Sequence, residues 1–351
     1  MAGVKDTKSI TTMALLFITL WTILSAAASF SPLETLGYSV LVIYLFLFFI
    51  LLKYEFPQGK YREGFYGAYF LGLFLVMGYL MIQNLGTLIE HGQFIRGTHL
   101  ATIENANSLA IFAMTGFFTA LFKAREAKTR ASRSFFILLT AITMAGILLA
   151  QSRAVLVTMF IGFFILIVRY NKKFIWSLLL FAALIILLPS VQQRFLDIFS
   201  YEQNVPRVKI WITAVKLAQM NPLTGTGANV FRFGYGEYFK THPELFNNWD
   251  IKEIWHAHNM FLRFLAELGI PGLLGILGVI WGSFRGVFAI MTSRVYRASR
   301  SKFADGIFIA LVSFYLANLM DSYFMEPKIM LVFYVFLGVS QAYSQNHQLV
   351  T

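Results

Sequence analysis

Two histidines one residue apart are the strongest candidates for chemistry in this sequence. The run His256-Ala257-His258-Asn259 stands at the head of an apolar segment with helical periodicity. If a helix begins near His258, that side chain shares a face with Leu262 and Leu265 and points into a helical bundle, whereas Glu267 points the opposite way. Because an imidazole titrates near neutral pH, His258 is a candidate proton acceptor, and a buried structural histidine is the alternative.

The same two histidines could instead chelate zinc. A third ligand would have to come from His242 or Glu253, and neither spacing is typical of a zinc site. The spacing therefore disfavours zinc, and we expect no metal and no cofactor. Proton transfer at His258 and a buried structural role stay equally open, with His256 and Asn259 as supporting candidates.

Two arginines are candidates for binding an anion. Arg153 follows a predicted helix in the short turn Gln151-Ser152-Arg153, where it could equally extend to lipid phosphates. Arg207 opens a segment with apolar residues at 208, 211, 215 and 218, a spacing that predicts a helix on the membrane surface, ended by Asn221-Pro222.

Three further residues are weaker candidates. Gly225 and Gly227 allow a tight turn that exposes backbone N–H groups, which is more often a plain turn than an anion site. Asp321 lies in a short predicted turn, residues 321–327. It could orient His258, bind a substrate or simply end a helix.

The elements that position these residues are predicted to be membrane helices. The chain of 351 residues is 58% hydrophobic and only 13% charged, more apolar surface than one soluble core could bury. We expect an all-α, polytopic transmembrane bundle that forms a single integral membrane domain over residues 1–351. About ten spans are predicted, at 10–29, 35–52, 65–83, 107–122, 134–150, 154–168, 174–189, 268–288, 305–320 and 328–343.

The charges predict the orientation of these spans. Most of the 29 basic residues fall in segments that lie inside if the N-terminus is cytoplasmic, and most acidic residues fall outside. The C-terminus is then cytoplasmic too, and the long loop 190–267, with its interfacial helices and the candidate residues described above, faces the periplasm or the cell exterior. The net charge of +12 thus reflects topology, and no nucleic-acid partner is expected.

Several function classes are excluded or disfavoured. The sequence has no cysteine, so thiol chemistry is absent. It has no phosphate-binding loop, because Gly225-Thr226-Gly227 lacks the required lysine and preceding strand. The predicted spans contain almost no charged residue at mid-membrane, which disfavours an ion-coupled carrier. Because no ATP is present outside the membrane, work done there must draw on an energised substrate or on an ion gradient, and the spans disfavour the second.

The motifs resemble those of the O-antigen ligase and polymerase superfamily, membrane glycosyltransferases that use lipid-linked glycans. The run His258-Asn259-x-x-Leu262, followed by Glu267-Leu268-Gly269-Ile270-Pro271-Gly272, resembles the family's signature. Upstream, the resemblance extends to Arg207 with Trp211, to Pro222 with Gly225 and Gly227, and to the turn Gln151-Ser152-Arg153. It covers roughly residues 100–345, and the segment Glu104–Ala110 departs from the family pattern in having Ala106 where a proline is usual.

The resemblance implies a fold, a location and a reaction. The protein would lie in the bacterial inner membrane with its active site on the periplasmic side. Its donor would be a glycan on undecaprenyl pyrophosphate, and its acceptor the lipid A core or another glycan. His258 would be the general base of an inverting, metal-independent transfer, and Arg153 and Arg207 would bind the pyrophosphate.

The resemblance leaves the acceptor open. An O-antigen ligase is favoured, and an O-antigen or exopolysaccharide polymerase and a protein O-oligosaccharyltransferase are alternatives. A lipid-linked glycan flippase and a purely structural membrane protein are the competing classes. A flippase would need charges along a central path, and the predicted spans supply few. A structural protein would give no reason for Arg153, Arg207 and His258 to converge outside the membrane.

Overall fold

The computed structural model describes residues 9–91, 96–97, 99–242, 254–292, 303–324 and 326–348. Within these ranges the chain consists of helices and turns, without a strand, so the predicted all-α class is confirmed. The α-helices of this part of the chain are α1 (Ile10–Ser25), α2 (Pro32–Glu55), α3 (Arg62–His91), α4 (Ala106–Glu126), α5 (Arg130–Ala150), α6 (Arg153–Arg169), α7 (Ile175–Leu187), α8 (Pro189–Leu196), α9 (Tyr201–Met220), α10 (Phe231–Thr241), α11 (Met260–Thr292), α12 (Phe303–Ala317) and α13 (Pro327–Gln348).

Six helices in the described ranges are long and apolar enough to cross a membrane, namely α1 to α5 and α11. A seventh candidate combines α7 and α8, which are bent by 99° at Leu188, just before Pro189. All ten predicted segments coincide with helices, but the predicted count of about ten spans is not confirmed. Helices α6 and α12 and the apolar part of α13 are shorter than 18 residues, which is short for a bilayer core of about 30 Å.

The contacts divide the chain into two compact units. The first comprises residues 1–54, 201–289 and 318–349, and contains α1, α2, α9, α10, most of α11 and α13. Helix α11 approaches α1 closely along a face of glycines, because a Cβ at Gly275 would meet Ile18 and one at Gly282 would meet Thr11. Small residues of this kind let membrane helices pack with their backbones near each other.

Helices α9 and α10 belong to the first unit and pack against the segment that carries the two histidines. Ile210 and Leu217 from α9, Tyr235 from α10, and Ala257 and Ala266 near the start of α11 share one buried cluster. This apolar core holds the segment that carries the two histidines against two helices.

Helix α9 starts earlier than predicted. The helix begins at Tyr201, so Arg207 lies within it, and it ends at Met220, directly before Asn221-Pro222 as predicted. Its buried positions are 210, 213, 214, 217 and 218, whereas Val208 and Val215 of the predicted apolar face are exposed together with Ile212. Exposure of Val208 and Val215 agrees with an apolar face that lies on a membrane surface, whereas Ala218 of the same predicted face is buried in the protein.

The second unit comprises residues 55–200, 290–317 and 350–351. Its centre is α4, which is buried along most of its length and packs against α5, α6 and α12. Gly162 of α6 and Gly306 of α12 lie where a Cβ would meet Phe118 of α4. Arg153 begins α6 in this unit.

Candidate functional site

The two histidines lie in a short segment just before α11. Ala257 is fully buried in the core under α9 and α10, and this anchors the backbone between His256 and His258. Helix α11 begins only at Met260, and His258 has a left-handed backbone conformation with φ of 48°. The predicted helical face shared with Leu262 is therefore wrong, because His258 precedes the helix.

A turn before α13 is joined to the start of α11 by hydrogen bonds. The Met260 N–H donates to the Asn318 carbonyl at 2.9 Å, and Asn259 Nδ2 donates to the Leu319 carbonyl at 2.8 Å. Asn259 also caps α11, since its Oδ1 accepts from the Leu262 N–H at 3.0 Å. These bonds fix the position of Asp321 relative to His258.

Asp321 lies against the His258 ring. Its Oδ1 is 3.0 Å from His258 Nδ1 and accepts from the Ser322 N–H at 2.8 Å. Burial alone raises the pKa of Asp321, but the hydrogen bond to His258 and the nearby positive charges outweigh burial and hold that pKa well below its ordinary value. Asp321 is therefore an ionised carboxylate that can only accept hydrogen bonds.

His256 lies beside His258, with ring centroids 4.2 Å apart. Its Nδ1 accepts from the His258 N–H at 3.2 Å and is 4.0 Å from Asp321 Oδ1. Burial, followed by the neighbouring His258, lowers the pKa of His256 to about 3. His256 is thus a neutral ring at neutral pH, and it supports the backbone of His258.

Arg207 contributes positive charge to this cluster. It is half-buried in α9, and its charge lowers the pKa of both Asp321 and His256. The first unit therefore brings together four of the predicted site residues: His258, His256, Asp321 and Arg207.

The cluster also contains three groups that could hold a metal ion. One ligand atom each from His256, His258 and Asp321 lie within 4.8 Å of one another. From the sequence alone, the third ligand of a zinc site would have had to be His242 or Glu253. His242 instead stacks on Tyr238, with ring centroids 4.2 Å apart, and Glu253 lies outside the described residues.

Gly225 and Gly227 form a turn whose N–H groups have partners. Gly227 N–H donates to the Glu267 carbonyl and Thr226 N–H to the Ala266 carbonyl, both at 2.9 Å, and Gly225 N–H donates to the Asn221 carbonyl at 2.8 Å. Both glycines have positive φ, and a Cβ at Gly225 would overlap the Glu267 backbone. The turn thus docks on α11, where Gly269 breaks the helix with φ of 68°.

A buried ion pair in α11 was missed from the sequence. Arg263 Nε lies 3.2 Å from both carboxylate oxygens of Glu267, and Glu267 Oε2 accepts from the Asn229 N–H at 2.8 Å. Both side chains are buried, so the expectation that Glu267 points away from the interior is wrong. The spacing of four residues between opposite charges could have indicated the pair.

Arg153 lies in the second unit. It is buried, and its Nη1 donates to the Asp197 carbonyl at 3.1 Å. Arg153 is therefore buried within the protein, whereas the alternative interpretation of the sequence placed its side chain against lipid phosphates.

A family model described as O-Antigen ligase matches residues 135–277. The match covers less than half of the chain, and it includes Arg153, Arg207, the glycine turn and both histidines, but not Asp321. No curated protein matches the chain.

Proposed function

We propose that the chain belongs to the O-antigen ligase superfamily, whose family model matches residues 135–277, and that it transfers a glycan from undecaprenyl pyrophosphate to an acceptor sugar hydroxyl, with His258 as the general base. The lipid A core is the favoured acceptor, which makes the protein an O-antigen ligase of the bacterial inner membrane. Its active site faces the periplasm, where the donor itself supplies the energy.

The contact between His258 and Asp321 is the observation that best supports this proposal. An ionised carboxylate only accepts hydrogen bonds, so the Nδ1 of His258 that lies 3.0 Å away must carry a proton. In the neutral ring the lone pair is then on Nε2. His258 is also partly exposed, unlike Asp321, so an acceptor can reach it.

The reaction then proceeds as a single displacement. The acceptor hydroxyl oxygen forms a bond to the anomeric carbon as its proton passes to Nε2 of His258. The bond between that carbon and the pyrophosphate oxygen breaks, and undecaprenyl pyrophosphate leaves with the bonding electrons. Attack opposite the leaving group inverts the anomeric configuration, and Asp321 stabilises the imidazolium that forms.

The arginines stabilise the leaving group. Arg207 supplies positive charge beside the histidine cluster, and its planar guanidinium suits the two-oxygen contact that a pyrophosphate offers. Arg153 is assigned to the same donor by the motif that it matches. Asn259, Gly225 and Gly227 position the site through the cap of α11 and the turn that docks on it.

The test is transfer by the purified protein in lipid, supplied with undecaprenyl-pyrophosphate glycan, with or without lipid A core, and analysed by product size. We expect one shifted product that requires the lipid A core. A ladder formed from donor alone would indicate a polymerase, and a product formed only with a protein acceptor would indicate an oligosaccharyltransferase.

The same assay tests the base. His258→Ala removes the proton acceptor, so transfer is expected to fall on the order of 100-fold or more. His242→Ala is the matched control, because His242 stacks on Tyr238 and is not one of the three clustered groups. Near-normal transfer by a folded His258→Ala variant would contradict the mechanism, and an absence of product with every acceptor would favour a flippase.

A further inference from the structure

The side chains of His256, His258 and Asp321 have the composition and spacing of a transition-metal site. His258 Nδ1 is 3.0 Å and His256 Nδ1 4.0 Å from Asp321 Oδ1. Zinc bonds of about 2.0–2.2 Å in a tetrahedron separate neighbouring ligand atoms by roughly 3.3–3.5 Å. The observed separations lie on either side of this range, so small side-chain rotations would complete the site.

The chemistry of the donors selects the class of ion. Two imidazoles and one carboxylate are ligands for zinc and similar first-row divalent ions, whereas magnesium and calcium require mostly oxygen ligands. The charge of Arg207 opposes a cation here, so binding is expected to be reversible.

The cluster is open on one side. Asp321 is buried, whereas the side chains of His256 and His258 are 18% and 30% exposed. An ion held by three protein ligands would therefore keep a fourth position for water.

Metal binding would remove the base. An imidazole that binds metal through Nδ1 carries its proton on Nε2, and one that binds through Nε2 uses that lone pair for the metal. In either case His258 has no lone pair left to accept a proton from a sugar hydroxyl.

We propose that His256, His258 and Asp321 form a binding site for a divalent ion of the zinc class, and that occupation of this site reversibly inhibits the protein. The binding part depends only on the arrangement of the three side chains. The inhibitory part rests on the proposed function, in which His258 is the base.

Binding is tested with the purified full-length protein in detergent, stripped with a chelator and titrated with Zn²⁺ by calorimetry or with Co²⁺ by visible absorption. We expect one ion per chain for the wild type and at least tenfold weaker binding for His256→Ala and Asp321→Ala. His242→Ala is the control, because it removes a histidine side chain that is not one of the three proposed ligands. This variant should bind the ion as the wild type does. Unchanged binding by His256→Ala, or no binding by the wild type, would overturn the proposal.

Inhibition is tested by transfer at increasing Zn²⁺, followed by excess chelator. We expect wild-type transfer to fall and to recover with chelator, and His256→Ala to require at least tenfold more Zn²⁺ for the same fractional loss. Zinc that binds without lowering transfer would overturn the inhibitory part, and transfer lost in chelator and restored by zinc would make the ion catalytic instead. Absence of transfer under every condition would contradict the proposed function and the inhibition with it, whereas the binding measurement would stand.

Discussion

At the scale of single residues, one carboxylate determines which nitrogen of His258 is basic. Asp321 is held by the Ser322 N–H and is 3.0 Å from His258 Nδ1. With the proton fixed on Nδ1, the lone pair on Nε2 is available to an acceptor. In the proposed mechanism Asp321 is therefore a positioning residue that acts through the histidine.

The substitution Asp321→Asn tests this role. An amide can donate as well as accept, so the His258 proton is no longer confined to Nδ1, and kcat should fall on the order of 100-fold with little change in KM for the donor. Steady-state transfer kinetics measure both constants. Asp321→Glu keeps the carboxylate and should retain more activity, and Ser322→Ala is a neighbouring buried control. Equal activity of Asp321→Asn and Ser322→Ala would contradict the role.

The substitution Arg207→Lys tests the donor site. An ammonium group keeps the charge but cannot make two parallel hydrogen bonds to pyrophosphate oxygens, so transfer should fall at least tenfold. Lys216→Arg is the control on the same helix, because Lys216 is exposed. Wild-type kinetics for Arg207→Lys would exclude two-point recognition by this residue.

The buried ring of His256 predicts a pH dependence of stability. Its pKa is lowered to about 3 in the folded protein, whereas an unfolded histidine titrates near 6.5, a general value. Below that pH the unfolded state binds a proton that the folded state does not, so the free energy of unfolding falls as the pH falls. The expected loss is about 1–2 kcal/mol between pH 6.5 and 5.

Denaturant unfolding in detergent at the two pH values measures this effect. His256→Gln removes the titrating ring, so the variant should lose less stability than the wild type when the pH is lowered. The same pH dependence in both proteins would contradict the assignment.

At the scale of elements, the site depends on where three segments meet. The segment before α11 carries the histidines, the turn before α13 carries Asp321, and the glycine turn docks on the first half of α11. Gly269 has a backbone conformation that is essentially restricted to glycine and allows the Ile270 N–H to reach the Pro222 carbonyl at 2.8 Å. The ion pair of Arg263 and Glu267 lies beneath this junction.

Breaking the ion pair of Arg263 and Glu267 should destabilise the folded protein. Glu267→Ala leaves Arg263 buried and unpaired and removes the acceptor of the Asn229 N–H, so a destabilisation of about 3–5 kcal/mol is expected. The double variant Arg263→Met, Glu267→Leu contains no unpaired charge and should be less destabilised. Unfolding followed by tryptophan fluorescence measures the difference.

An exposed ion pair provides the control. Glu237 and Lys240 are both more than half exposed, and Glu237→Ala should change stability by about 0–1 kcal/mol. If Glu267→Ala lowered the free energy of unfolding by as little as Glu237→Ala does, the ion pair in α11 would not stabilise the junction.

At the scale of the whole molecule, the orientation in the membrane determines which substrates the site can meet. The distribution of basic residues predicts that Lys172 is cytoplasmic and that α10 is periplasmic. Because the chain has no cysteine, single cysteines can be introduced and labelled without a background signal.

The prediction concerns Lys240→Cys and Lys172→Cys, two exposed positions of the described chain. An impermeant maleimide applied to spheroplasts should label Lys240→Cys, whereas Lys172→Cys should be labelled only after the membrane is opened. The reverse pattern would place the histidine segment in the cytoplasm and contradict the proposed function.

The sequence by itself determined the class of fold and the positions of the helices. Apolar segments of nearly twenty residues can satisfy their backbone groups in a membrane only as helices, and so all ten predicted segments coincide with helices. Spacing along the chain also singled out His258, Arg207 and Arg153 as candidates, because a motif is a local property of a sequence, and their roles stay predictions.

Only the tertiary structure decided which side chains meet. Asp321 lies 3.0 Å from His258 although 63 residues separate them, and no pattern in the sequence reports such a distance. The helical face assigned to His258 was wrong because α11 begins two residues later and the histidine has a left-handed backbone. Glu267 was assigned to the wrong side because its position was inferred from a helical face shared with His258. In the structure His258 precedes the helix, and Glu267 is buried in an ion pair with Arg263.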